Sequence, residues 1–419
     1  MSFFRIKPKQ NLGLVSLADR IVGPLLLLLL CGLASPAGSR NIVDKPATAA
    51  AVNKPDAEVM LIEVYKQLAS DHLRTALERA DALVAAYPTF RLGHLIRGDL
   101  LLMQTRQVNS LGPVSAPQDK LKNLRDEATV RLKSLRNRPD PDLVPRAILQ
   151  LRPDQKNVLV VDARNSRLYV YENLDGRLKL MTDYYISQGK LGVNKLKAGD
   201  QKTPVGVYYI TSRLAGARLP DFYGSGALPI NYPNDWDRLN GRSGSGIWLH
   251  GTPSETYSRP PLSSDGCVVL TNQDLSKLTA NVEIGKTPVI IAEQLEFVNQ
   301  AKATSDRAGA QKMVEVWRRD VESLDAQRVL AHYSNDFKSE RGENRTTWFA
   351  RQGPVLNSNK NVSVKLSDLT LFLYPGRDDL IVGTFTEEAK LGKTKNTSRR
   401  RQYWAREGQQ WKIISESVL

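Results

Sequence analysis

The hydrophobic period of this chain changes twice, and no single layer of secondary structure accommodates both periods. From Glu58 to Gln107, apolar residues recur at three- and four-residue spacing, the pattern of amphipathic helix. From Asn157 onward the period is two. NVLVVDA, RLYVYE, KLMTDYYIS, VGVYYIT, GIWLHG, GCVVL and TPVIIAE are strand-like runs divided by Gly, Asn, Asp and Pro. A helical pattern returns in KMVEVWRRDVESLDAQRVLAHYSNDF and gives way to VSVKLSDLTLFLY, DLIVGTFTEEA, RRRQYWAREG and QWKIISES. With 419 residues there is material for several cores. The expected architecture is therefore multidomain. It has helices over 58–137, a mainly β domain over 155–294 with one short helix near Asp274–Leu278, and an α+β domain over 311–419. Residues 39–57, 138–154 and 295–310 read as linkers.

Pro88 breaks the first helical pattern after VAAY, which predicts a helix–turn–helix. Ala76 and Ala80, one turn apart, permit close packing, and the hairpin resembles the tetratricopeptide type; one such unit makes no solenoid. Segment 120–137 is a further, charged helix.

Residues 1–38 read as an export signal. Arg5, Lys7, Lys9 and Arg20 precede or border the apolar run Ile21–Leu30, and small residues near Ala34 and Ala37 suit cleavage. The run is short for a transmembrane helix, so an uncleaved anchor is the alternative. The leucines before Cys31 make it a poor lipidation site. An exported protein acts in the periplasm or cell envelope, and membrane contact is expected through the N-terminal segment alone. The formal charge is +15. Basic residues are spread along the chain without a nucleic-acid recognition motif, so no nucleic-acid partner is expected. The excess suits a polymer bearing many carboxylates.

Removal of the signal leaves Cys267 as the single cysteine. A lone thiol in an oxidising compartment calls for an explanation, of which a small buried apolar residue is the plain one. His250 closes the run GIWLHG, and Cys267 follows 17 positions later in SSDGCVVL. A connection of that length can bring two strand ends side by side. The thiolate is the nucleophile, and an imidazole can take its proton. Gly266 lets backbone approach the reacting carbon, and amides around Gly266 and Cys267 could hold an oxyanion. An Asp265 carboxylate aimed at the sulfur would oppose this by raising the thiol pKa.

His-Gly-x-x followed by Ser-x-Gly-Cys, together with SQGKLG (187–192) and GDQKTPVGVYYI (199–210), resembles the L,D-transpeptidase (YkuD-type) catalytic domain. The resemblance implies that Cys267 takes the acyl group of a peptidoglycan stem peptide, at the bond between the L-centre of diaminopimelate and a terminal D-residue. It implies His250 as base, the Gly251 carbonyl as its orienter, and Ser264 and Gly266 around the oxyanion pocket, with no metal and no cofactor. The sequence departs from the family at Asp265, where His, Arg or Lys is frequent, and at Val269, where Arg is common. The acceptor therefore stays open. The expected function is transpeptidation in cell-wall cross-linking or remodelling. One alternative is a carboxypeptidase- or amidase-type hydrolase of stem peptides or of an envelope lipoprotein's link to the wall. Another is a non-catalytic wall-binding scaffold.

Lys190, Lys195 and Lys202 are candidates for stem-peptide carboxylates, against a reading as solvated loop lysines. Thr203 stands with them on the substrate side. Tyr232 and Trp236 could floor a groove or simply pack. His72, His94 and His332 lie in helical patterns and read as structural or exposed. No cluster has zinc-site spacing, and GRSGSG (241–246) lacks the lysine and helix of a phosphate loop. VEVWRRDVESLDAQRVLAHYSNDF and YWAREGQQWKIISES resemble the nuclear-transport-factor-like (SnoaL-like) cone, in which helices cover a curved sheet. That implies a targeting, dimerising or wall-binding module. Asp320, Asp325 and Arg401 are pocket candidates there, weighed against plain solvent exposure.

Overall fold

The computed structural model describes residues 55–105, 112, 118–356, 362–392 and 394–419. The leader at 1–38 and the linker as far as residue 54 lie outside the described residues. Four helices open the described chain: α1 (Ala57–Ala69), α2 (Leu73–Ala86), α3 (Arg91–Met103) and α4 (Gln118–Arg136). The Asp56 carboxylate accepts from the Glu58 N–H and starts α1. The chain then breaks at Asp71, where φ is +57°. The single helix expected before Pro88 is thus two, because ASDH carries local turn chemistry that outweighs the apolar period. Ala76, Ala80 and Leu83 of α2 and Leu92, Ile96 and Leu100 of α3 share one core. In α4, Glu127 and Arg131 are buried one turn apart.

The central domain is built on a five-stranded sheet. Its order is 177–185, 167–174, 157–162, 288–292 and 206–209; the 157–162 and 288–292 strands run parallel and the rest antiparallel. Along Asn157–Asp162, Leu159 and Val161 enter one core while Val158 and Val160 enter another. The strand is covered on both faces, which accounts for its unbroken apolar run. A second sheet, ordered 268–269, 248–250, 226–229 and 214–215, packs its Leu228, Leu249 and Val268 into the first of these cores. Two short helices decorate this domain: α5 (Asp235–Leu239) and α6 (Asn272–Ala280).

Helix α7 (Gln300–Ser323) leads into the C-terminal domain with Ala310, Val314 and Trp317 on its buried face. A six-stranded sheet follows, ordered 333–339, 410–418, 394–407, 380–391, 362–373 and 148–150. Two expected linkers are corrected here. Residues 300–310 are the first half of α7, and within 138–154 the strand Ile148–Gln150 completes the C-terminal sheet by pairing with Leu371 and Phe372. Among the described residues no helix is long and apolar enough to cross a membrane.

Candidate active site

The strand Trp248–His250 lies parallel to Val268–Val269, with Leu249 opposite Val268 and His250 opposite Val269. Leu249 and Val268 face the core. Strand alternation then sends His250 to the other face, and Cys267, two residues before Val269, falls on that same face. His250 is buried, and its Nδ1 lies 2.7 Å from the Gly251 carbonyl oxygen. A carbonyl only accepts, so Nδ1 carries the proton and Nε2 is left as a base. The Cys267 thiol is half-buried and donates to the Gly246 carbonyl at 3.4 Å.

The turn before the cysteine is held from three sides. Buried Ser264 donates through Oγ to the Cys267 carbonyl at 2.6 Å and accepts the Gly266 N–H at 3.1 Å. Thr203 Oγ1 donates to the Gly266 carbonyl at 2.9 Å and accepts the Gly189 N–H at 3.0 Å. The Lys190 amide donates to the Ser264 carbonyl. Gly266 has φ +130°, and a Cβ there would lie 2.7 Å from the Lys202 carbonyl oxygen. The sequence placed a pair of oxyanion donors here. The Gly266 amide is instead spent on Ser264, whereas the Cys267 amide donates to no acceptor among the described residues.

Electrostatics leave the His250 and Cys267 side chains neutral at rest. Burial pushes the thiol up to about 11; the Asp265 carboxylate adds to this, while the Trp248 N–H, Arg259 and Lys195 oppose it. Burial pulls the imidazole down to about 4, opposed by the Gly251 carbonyl and aided by Arg259. Asp265 itself sits below its usual range because Lys190 pairs with it at 2.9 Å; Gln201 donates to the same oxygen.

The expected substrate residues fare differently. Lys190 remains half-exposed at the rim. The Lys195 side chain is only 3% exposed; it pairs with Asp200 at 2.7 Å and donates to the Lys197 carbonyl. It is a loop clasp, already neutralised. Thr203 has no exposed surface, so it braces the turn and meets no substrate. Tyr232 is buried and donates to the Ser243 carbonyl, and Trp236 stacks on Tyr403 of the C-terminal sheet at 4.5 Å. Tyr232 packs, and Trp236 lines a cavity shared with Arg242 and with Tyr374 of the C-terminal domain, among whose lining residues neither His250 nor Cys267 stands. In the C-terminal domain, Asp320 pairs with His332 and Asp325 caps the helix α8 (Ala326–Ala331), while Arg401 is buried and reaches Asp235 of α5. Among the described residues no cluster of His, Cys, Asp or Glu could hold a metal ion.

Several residues around the site carry no sequence motif. Phe222 and Tyr223 place their rings 5.7 and 5.1 Å from that of His250, and Tyr223 also meets Trp248. Asn272, the first residue of α6, accepts from the Ser225 amide and donates to the Thr252 carbonyl. A Cβ on Gly251 would lie 2.1 Å from its Oδ1, so Asn272 sets the backbone that orients His250. Arg259, inside the connection from His250 to Cys267, stacks its guanidinium 4.5 Å over the Phe222 ring. It was visible in the sequence only as a cation in YSRPP.

Comparison with known proteins assigns two domains to the chain. Residues 156–291 match the family model of YkuD, the L,D-transpeptidase catalytic domain, and residues 310–417 match the Cds6 C-terminal NTF2-like domain. The chain thus carries a YkuD domain followed by an NTF2-like domain, behind N-terminal helices. The YkuD family acts on peptidoglycan stem peptides. Among solved structures, Bd1075 of Bdellovibrio bacteriovorus is 28% identical with a TM-score of 0.58, over 66% of this chain and 98% of that one. The helical cell shape determining protein Pgp2 of Campylobacter jejuni is 21% identical with a TM-score of 0.56, over 70% and 99% of the two chains, and shares the fold. No curated protein matches the chain.

Proposed function

We propose that this protein is a cysteine acyltransferase that acts on peptidoglycan stem peptides in remodelling of the cell wall. The observation that carries the reading is the common face of His250, on the strand 248–250, and Cys267, the residue that leads into its parallel partner 268–269, with Nδ1 tied to Gly251 and Nε2 left as a base. As the sulfur attacks the carbonyl at the L-centre of diaminopimelate, the thiol proton passes to His250 Nε2. The Cys267 amide receives the oxyanion, and Ser264 and Gly266 hold that amide in place. Collapse breaks the C–N bond, His250 returns its proton to the departing D-residue amine, and a thioester remains. An amine of a second stem then attacks the thioester, again with His250 as base, and the cysteine is released.

Neutral partners suit this order of events. With the imidazole down at about 4 and the thiol up at about 11, the proton moves during attack and no ion pair has to pre-exist. The basic and apolar leader supports action at the cell envelope. The Campylobacter jejuni neighbour is described as determining helical cell shape, and wall remodelling with consequences for shape belongs to the same proposal.

The test is intact-protein mass spectrometry after incubation with disaccharide tetrapeptides, with Cys267→Ala alongside. An acyl adduct that requires Cys267, together with cross-linked dimers, is expected. Shortened stems without dimers would move the reading to a hydrolase that uses water as acceptor. No adduct and no product would leave a wall-binding scaffold.

A further inference from the structure

Arg259 is a held cation without an anion. The arginines at the domain interfaces, Arg131, Arg167 and Arg242, each face a carboxylate. The guanidinium of Arg259 makes no ion pair or hydrogen bond among the described residues, although the residue is half-buried. Asp265, the acid whose charge it feels, is engaged by Lys190 and Gln201. A half-buried charge without a partner is costly, and a fold that keeps one has a reason to keep it.

Its position is fixed by backbone anchors from two domains. Tyr185 Oη donates to the Arg259 carbonyl at 2.9 Å, and Ser187 Oγ donates to the Pro260 carbonyl at 2.6 Å. On the other side, Ser258 Oγ donates to Glu127 of α4 at 2.7 Å. The Tyr257 ring sits 5.0 Å from Tyr87 and 4.7 Å from Phe90, inside the helical core. The helical region therefore grips the connection between His250 and Cys267. It presents Arg259 over Phe222, whose ring neighbours that of His250.

We propose that Arg259 anchors the free α-carboxylate of the residue that leaves, so that the enzyme selects donors ending one residue beyond the scissile bond. The inference rests on the acyl-transfer reading above. In such a donor the terminal carboxylate is separated from the scissile nitrogen by one carbon, so its charge falls near the thiol and imidazole, both of which feel the charge of Arg259. A guanidinium suits it because its fork matches a carboxylate, and the stacked, preformed pose loses little entropy on pairing. A donor extended by one more residue carries a neutral amide at that point and leaves the cation unpaired. Specificity of this kind comes from the charge the wrong ligand fails to satisfy.

The experiment compares a stem tetrapeptide acid with its C-terminal carboxamide. Readouts are kcat/KM in the wild type, Arg259→Gln and Arg259→Lys, and equilibrium binding in the Cys267→Ala protein with and without Arg259→Gln. The wild type is expected to favour the acid by on the order of 10- to 100-fold. Arg259→Gln should reduce that ratio to about one through the acid's KM, and Arg259→Lys should restore part of it. Binding by Cys267→Ala should follow the same ratio. Equal use of acid and carboxamide by the wild type, or a preference that survives Arg259→Gln, overturns the anchor. Failure of the acyl-transfer reading looks different: no Cys267 adduct forms with either peptide, and the binding ratio alone then decides for or against Arg259. If Arg259→Gln does not fold, the ratios in the wild type and Arg259→Lys decide.

Discussion

The central domain meets its two neighbours through opposite chemistries. Toward the N-terminal helices the contact is ionic and buried. Arg131 lies between Glu127 and Glu58, stacks 3.8 Å over Tyr185, and Arg167 faces Glu58 from the central sheet. Toward the C-terminal domain the contact is aromatic and β-sheet in kind. Trp236 stacks on Tyr403, Tyr374 donates to the Val205 carbonyl, and Ile148–Gln150 extends the neighbouring sheet. The first interface ends at residues 257–259, between the two reacting groups. The second involves α5 and none of the residues around the thiol. The helices thus hold the segment between His250 and Cys267, whereas the NTF2-like domain packs on α5 and takes up the strand Ile148–Gln150.

The largest effect is expected at Arg131. Arg131→Ala removes the cation from two carboxylates, one of them on the fully buried Glu127, whose carboxyl is already pushed up by burial. Breaking such a pair costs about 3–5 kcal/mol, measured by denaturant unfolding. A loss under about 1 kcal/mol would mean that the ionic interface is not what holds the helices.

Tyr257→Ala and Trp236→Ala separate the interfaces at similar stability. Each empties an aromatic site and should cost about 3 kcal/mol. Measured where both variants are folded, Tyr257→Ala should lower kcat/KM at least tenfold, since the segment holding Arg259 loses its plug. Trp236→Ala should stay within about threefold of the wild type. Equal losses of activity would erase the contrast between the two neighbours.

Legibility from the sequence followed range. The strands at 157–174 announce themselves by short β-branched and aromatic runs bounded by turn residues, and the His250/Cys267 pair by a motif contained within 18 consecutive residues. The strand at 148–150 has no such mark, because its partner lies more than 200 residues away. Residues 300–310 read as linker since α7 buries only Ala310 in that stretch. Segment 120–137 reads only as a charged helix, and nothing local says that Glu127 and Arg131 neutralise each other in the interior. Trp236 could be told from a groove residue only by knowing that Tyr403 covers it.

The buried imidazole supplies a pH signature. His250 has its pKa lowered from 6.5 to about 4. Between these values the unfolded chain binds the proton and the folded one does not, so stability falls as pH drops from about 6.5 toward 4. The loss approaches 3 kcal/mol at the lower end, and none of it is present above pH 7. In denaturant titrations, His250→Gln should flatten this part of the stability profile. An unchanged slope in the variant would place the titration elsewhere; Asp274, whose carboxyl burial raises to about 6, is not that group, because its contribution favours the folded state as pH falls.

The smallest effect is expected at Lys190, where it separates two roles. Its pair with Asp265 is half-exposed on both sides, so Lys190→Ala should cost less than about 1 kcal/mol of stability. The chemical effect runs through the carboxylate. With Lys190 gone, Asp265 acts undiminished on Cys267, where its charge already raises the thiol. Alkylation of Cys267 by iodoacetamide should slow a few-fold at pH 8, and Lys190→Ala/Asp265→Ala should restore the rate. A lysine that instead met a stem-peptide carboxylate would raise KM about tenfold when removed, and the second substitution would not repair it. Rescue by the double variant therefore assigns Lys190 to the tuning of the nucleophile and leaves carboxylate recognition to Arg259.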